Sequence, residues 1–220
     1  MGELFLDDNE INLMVIGESQ FQKTIMQEHG LPEKWVCHVP ARPMKMIDRI
    51  WYNFDDGTGK YGKGYLKAEK NISHEEWSFY CHFYGDPVIP GTIGLDGCYQ
   101  CLGITMLIKG MPGVARALAG TFEYTGQVLT NVKKTAYRMD IKRIICKPSP
   151  LLIADVDYYK NDDQAPIYKL TDARMGFFRE GELERSSSYL PNWSKIKETA
   201  LQEIEDSKQY YLKHFGREGF

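Results

Sequence analysis

The sequence has little net charge, no long apolar run and few cysteines, and each shortage removes a class of protein. With 27 Lys+Arg against 30 Asp+Glu the formal charge is −3. That balance lacks the basic excess of nucleic-acid-binding domains, so no nucleic acid is expected as a partner. The longest apolar region, around 101–108, is too short and too interrupted to span a bilayer. The first residues, "MGELFLDDNEINLM", carry acids where a signal peptide needs a basic segment followed by an apolar one. No membrane association is expected. Five cysteines, an odd number without secretory context, read as free thiols in a reducing, cytoplasmic compartment. Internal repeats and low-complexity segments are missing too. What remains is ordinary for a soluble globular chain: 43% hydrophobic and 26% charged over 220 residues, enough for one core with extensions.

Residues 1–38 form an acidic, mixed lead-in. Within it "ESQFQKTIMQEHG" predicts a short helix stopped by Gly30 and Pro32. A central domain is expected over 39–178. Its first segment, "VPARPMKMIDRIWYNF", is extended, because each proline pushes the preceding residue out of the helical region. Between 64 and 72, Leu66, Ala68 and Ile72 alternate with Lys67, Glu69 and Asn71, with Lys70 as the exception, which predicts a strand. The clearest strand covers 132–144, with Tyr137, Met139 and Ile141 on one face. "LLIADVDYY" and "PIYKLTDARMGFF" read as a hairpin, and "VARALAGTFEYTGQV" as a strand interrupted at Gly120.

Against these strands stands one apolar helix, Gly91 to Lys109, whose large side chains cover most of its circumference. It should be buried nearly all round. One long helix and some five strands imply an α+β fold in which a sheet wraps the helix. The final segment, 179–220, reads as an amphipathic helix with Trp193, Ile196, Ala200, Ile204, Tyr211 and Phe215 at helical spacing. Asn192 or Ser194 is expected to cap its start and Gly216 its end.

The chemistry concentrates in "FYCHFYGDPVIPGTIGLDGCYQ", residues 79–100. His82 sits among turn residues and can exchange a proton near pH 7. Asp96 lies about one and a half turns into the apolar helix, with Gln100 one turn further on the same face. Burial penalises the ionised form of a carboxyl, so an acid in such a helix is placed to donate a proton. Pro90, Gly91 and Thr92 open the helix, where free N–H groups favour negative charge and Gly91 lets an oxygen approach. A base, an acid and an oxyanion-stabilising helix terminus are what β-elimination beside a thioester carbonyl needs.

The order of "MKMIDR", "GYLKAEKNIS", "CHFYGDPVIPGTIGLDGCYQ", "YTGQVL", "KRII" and "ARMGFF", spread over about 44–178, resembles the β-hydroxydecanoyl-thioester dehydratase family. These are hot-dog-fold enzymes of bacterial unsaturated fatty acid synthesis. The core motif H-F-x-G-D-P-V-x-P-G-x-x-G-L-D and the fourteen-residue step from His82 to Asp96 carry the resemblance most specifically. It implies that His82 is the general base and Asp96 the acid. It further implies that the Gly91 N–H binds the oxyanion, the Val88 carbonyl orients the imidazole and Gln100 holds the Asp96 carboxyl. A homodimer with active sites at the subunit interface is implied, acting on acyl carrier protein or CoA thioesters, with no metal and no organic cofactor. Aspartate rather than glutamate at 96 favours the decanoyl type. Ile89, Thr92, Tyr99 and Thr130 depart from the family pattern and bear on chain length and on trans-2 to cis-3 isomerisation.

Competing readings of single features weigh less. Cys98-x-x-Cys101 has the spacing of a zinc half-site, but no second pair accompanies it and an apolar helix favours core thiols. Gly57-x-Gly59-x-x-Gly62 matches a dinucleotide fingerprint, but a strand pattern rather than a helix follows, so a turn is expected. Lys133, Lys134, Arg138, Lys142 and Arg143 suit either an acidic carrier protein or a solvated strand face. Two other functions fit the same fold: a hot-dog thioesterase, and a non-catalytic acyl-binding or scaffold subunit.

Overall fold

A computed structural model of the chain describes residues 2–83, 85–183 and 193–215. Among the described residues there are seven strands: β1 (Leu4–Leu6), β2 (Arg49–Asn53), β3 (Tyr65–Asn71), β4 (Val114–Tyr124), β5 (Lys134–Ile145), β6 (Leu151–Lys160) and β7 (Tyr168–Phe178). They form one sheet in the order β1-β2-β3-β5-β6-β7-β4, with every neighbour antiparallel. The helices are α1 (Asp8–Ile16), α2 (Gln20–His29), the single turn α3 (Ser78–Cys81), α4 (Gly91–Ile108) and α5 (Trp193–Phe215). The long sheet packs around α4, which is the expected hot-dog arrangement.

On the core face of β5, Tyr137, Met139 and Ile141 are buried, and across the β6 pairing Tyr158, Val156 and Ala154 meet them. A line of tyrosine rings crosses beneath α4: Tyr124, Tyr168, Tyr158 and Tyr137, with successive centroids 5.1, 4.9 and 4.7 Å apart. The helix approaches these rings closely because Gly94 and Gly97 carry no side chain. A Cβ at Gly94 would lie 2.7 Å from the Tyr168 ring.

Several features differ from the sequence expectation. The lead-in holds two helices and a strand rather than one short helix. Asp7 caps α1 by accepting from the Asn9 and Glu10 N–H groups, and Gly17 ends it in the left-handed conformation. Ile11 and Met14 of α1 and Ile25 of α2 join the same core as α4 and the sheet. Gln22, itself buried, donates to the Met14 and Cys37 carbonyls and so ties α1 and α2 to the segment that follows. Lys70, the polar exception, keeps the inward alternation of β3 by burying its ammonium against Glu76 at 2.8 Å. β4 continues through Gly120, absorbing it in register shifts between Ala117 and Thr121.

The first half of α4 is not sealed all round. Thr92 is exposed, while Leu95, Asp96 and Tyr99 are half-buried, and at i, i+3, i+4 and i+7 these four form one open stripe. In α5, Ala200 is exposed and Ile204 half-buried, and the helix packs on α3, with the Lys208 ammonium 5.7 Å from the Tyr80 ring. The expected caps Asn192 and Gly216 lie outside the described residues. Among the described residues no helix is long and apolar enough to cross a membrane.

Candidate active site

His82 follows α3 directly, and its own N–H closes that turn onto the Ser78 carbonyl at 3.1 Å. Its imidazole Nδ1 lies 3.0 Å from the Val88 carbonyl oxygen. A carbonyl can only accept, so Nδ1 carries the hydrogen, and in the neutral ring the lone pair is then on Nε2. The Val88 carbonyl is itself held in place. Val88 bridges to Leu129, and the Ile89 N–H donates to the Val128 carbonyl at 3.0 Å. The "YTGQVL" segment thus steadies the loop that orients the histidine. Phe83 stacks on the imidazole with centroids 4.0 Å apart.

Asp96 is half-buried on the open stripe of α4. The Gln100 Nε2 donates to the Asp96 Oδ2 at 2.7 Å and to the Met44 carbonyl at 2.7 Å. Its Oε1 accepts from the Met46 N–H at 2.9 Å. Both Nε2 hydrogens are used, which fixes one carboxyl oxygen of Asp96. Gly91 begins α4 after Pro90, which offers no side-chain cap, and the first N–H groups of a helix have no partner within it. The Tyr124 ring lies so close to Gly91 that a Cβ there would meet it at 2.2 Å.

Beside α4 runs a cavity of about 290 Å³. Asp96, Tyr99 and Gln100 line one end, and Gly103, Ile104 and Leu107 the other. Eleven residues separate Asp96 from Leu107, or about 16 Å along the helix. Cys37, His38, Val39 and Pro40 form the facing wall, and Ala115, Arg116, Ala117 and Met175 complete it. Burial pushes the Cys37 thiol up to about 12, so it acts as an apolar wall rather than a nucleophile. His82 does not line this cavity. One chain thus presents a histidine oriented by Val88, and a carboxyl held by Gln100 at the end of a slot that His82 does not line.

Three of the five basic residues are held in ion pairs. Lys134 pairs with Glu69 and Asp162, Arg138 with Asp140, and Lys142 with Asp155 and Asp172. Lys133 and Arg143 are exposed. Cys98 and Cys101 are buried in the core, and Gly57, Gly59 and Gly62 occupy left-handed turn positions ahead of β3. Sequence reasoning missed the backbone of Met44 and Met46, the Cys37–Pro40 wall and the Tyr124 ring. Of these only the apolar flanks of Lys45 in "MKMI" left a trace in the sequence.

Residues 39–169 match the FabA-like domain, well over half the chain. The chain belongs to the FabA-like family. Among solved structures it is similar to the dehydratase domain of a mycocerosic acid synthase-like polyketide synthase, at 12% identity over 82% of this chain and 51% of that one, with a TM-score of 0.49. It is similar also to the dehydratase domain of RzxB from Pseudomonas fluorescens (10% identity, 79% and 50% covered, TM-score 0.45). The E. coli PaaI protein is a third (9% identity, 52% and 76% covered, TM-score 0.38).

Proposed function

We propose that this FabA-like chain is a (3R)-3-hydroxyacyl thioester dehydratase, with acyl carrier protein or CoA as the thiol carrier. The observation that carries the reading is the paired orientation of the two reactive groups. The Val88 carbonyl holds the proton on Nδ1 of His82, and Gln100 holds one oxygen of Asp96. In the reaction, His82 Nε2 removes a proton from C2, next to the thioester carbonyl. The carbonyl oxygen gathers negative charge and is stabilised by the Gly91 N–H at the positive end of α4. The C2 electrons form the C2=C3 bond as the C3–O bond breaks. Asp96 Oδ1 delivers its proton to that oxygen, which leaves as water. Passage of the proton from the imidazolium back to the carboxylate restores both groups.

The acyl chain fits the slot between α4 and the Cys37–Pro40 wall. His82 does not line the Asp96 slot, which supports a working site that takes His82 from one copy and Asp96 from a second. The open stripe of α4 and the exposed run Arg116–Thr121 on the edge strand β4 support such pairing, since an uncovered apolar edge invites association.

The test is incubation of the purified protein with 3-hydroxyacyl thioesters of several lengths, followed by mass spectrometry and NMR. An enoyl thioester that has lost one water, with no product from His82→Ala or Asp96→Asn, is the expected result. Release of free thiol and intact hydroxy acid would instead establish a thioesterase. Double-bond position in the product decides whether trans-2 to cis-3 isomerisation accompanies dehydration.

A further inference from the structure

We propose that Lys45 is a positioning residue for Asp96, acting through the backbone on either side of it and through Gln100. The role for Asp96 rests on the dehydratase reading; the physical relay does not. Lys45 is only 2% exposed, yet it is a lysine. Its ammonium donates to the Asp8 carboxylate and, at 2.7 Å, to Asn12 Oδ1, with Asp48 Oδ1 at 3.9 Å. Asn12 Nδ2 in turn donates to Asp8 Oδ2 at 3.1 Å, so the two acceptors hold each other on α1. Arg42 is the other charge here, 3.5 Å from Asp48.

A buried ammonium is costly unless its hydrogens are satisfied, so Lys45 is confined to the place where α1 offers these oxygens. An apolar side chain would fill the same volume without that cost. What the charge adds beyond an apolar side chain is therefore geometry. The geometry it fixes is that of residues 44–46, whose flanking Met44 C=O and Met46 N–H both bond the Gln100 amide. Gln100 cannot turn without losing both bonds, and its remaining hydrogen sets the direction of the Asp96 carboxyl. A continuous path thus runs from α1 through Lys45, the 44–46 backbone and Gln100 to Asp96. Its first member lies outside the 39–169 match, so the lead-in is part of what aims the acid.

The experiment uses the full chain with Lys45→Met, and with Asn12→Ala as a milder variant that leaves the Asp8 pair in place. For Lys45→Met, kcat falls about 10- to 100-fold while KM stays within about twofold, as for a reacting group misplaced by a fraction of an ångström. Asn12→Ala shows a smaller loss of the same kind. Independently of turnover, hydrogen exchange of the Gln100 side-chain amide, assigned by its disappearance in Gln100→Leu, becomes about tenfold faster in either variant. Folded variants with wild-type kcat and unchanged Gln100 exchange overturn the proposal. Failure of the wild-type protein to dehydrate any 3-hydroxyacyl thioester counts against the dehydratase reading alone. The relay then stands on faster Gln100 exchange in the variants and falls on unchanged exchange.

Discussion

Alanine at position 97 sets two physical effects against each other in the middle of α4. Replacing a mid-helix glycine by alanine ordinarily stabilises a helix by about 1 kcal/mol. Here the added Cβ would lie 2.1 Å from the Tyr137 hydroxyl oxygen and 2.6 Å from the ring carbon that bears it. Tyr137 cannot swing away, because it is 1% exposed and packs against Tyr158 at 4.7 Å. Overpacking of a dense core costs about 1–3 kcal/mol, and a contact this short lies at the upper end. Gly97→Ala is therefore expected to lose about 2 kcal/mol net, read as a lower midpoint in urea with an unchanged slope.

The same geometry supplies the control. The buried Tyr137 and Tyr158 hydroxyls interact with each other, and Tyr158 with Thr135, but none makes a bond of good geometry, so Tyr137→Phe should cost at most about 1 kcal/mol. It also removes the nearest of the three clashing atoms. The double variant Gly97→Ala/Tyr137→Phe should recover roughly half of the loss, giving a coupling of about 1 kcal/mol. A Gly97→Ala protein as stable as wild type, or losses that simply add, would refute the claim that the helix sits on the tyrosine line by virtue of this glycine.

Two further predictions concern the slot and the charges. Gly103 has room for a Cβ, its nearest neighbours being Cys37 Sγ and Met175 Sδ at 3.7 Å, so Gly103→Leu should fold while filling the slot. Displacing about three methylenes of acyl chain, at about 0.8 kcal/mol each, should lower kcat/KM for long over short 3-hydroxyacyl thioesters roughly 50-fold in competition assays. Burial raises the Asp8 and Asp155 carboxyls, but hydrogen bonds and charge from Lys45 and from Lys142 outweigh it and leave both below the usual range. Groups depressed in the folded state contribute stability that is complete above about pH 3.9 and is lost as pH falls through their folded values. The urea midpoint should therefore hold from neutrality to about pH 5 and drop below about pH 4. Lys142→Met should flatten that drop, and an acid limb of equal steepness in this variant would contradict the assignment.

The parts of the fold that were legible in the sequence are those whose burial follows a period. α4 is apolar almost throughout, and β3, β5, β6 and β7 alternate. α1 was not legible, because only Ile11 and Met14 of its nine residues are buried and its acidic start reads as lead-in. β1 is three residues long and sits at the sheet edge. At the site, side chains that act on neighbouring backbone were signalled by the motif itself, as with His82 and Val88. The bonds from Gln100 to Met44 and Met46 were not, since any residue supplies a carbonyl and an N–H. The ion pairing of the basic run was illegible for a related reason. Its neutralising acids, Glu69, Asp155 and Asp172, come from β3, β6 and β7, and only the sheet register brings them to β5.

The proposed sharing of one site between two copies can be tested without a structure of the pair. On that proposal, His82→Ala and Asp96→Asn each disable every site in their own homodimer. In a mixed dimer the His82→Ala chain still carries Asp96, and the Asp96→Asn chain still carries His82. If the two groups meet across the interface, one of the two sites in each mixed dimer is fully wild type and the other doubly disabled. Random reassociation of equal amounts makes half of the dimers mixed, so about one quarter of wild-type activity should return. The recovery should appear only after the inactive homodimers are dissociated and allowed to exchange. If instead His82 and Asp96 of one chain served the same site, every site in every dimer would lack one group. Mixing would then restore nothing, and the half-site geometry drawn from the separate His82 loop and Asp96 slot would have to be abandoned.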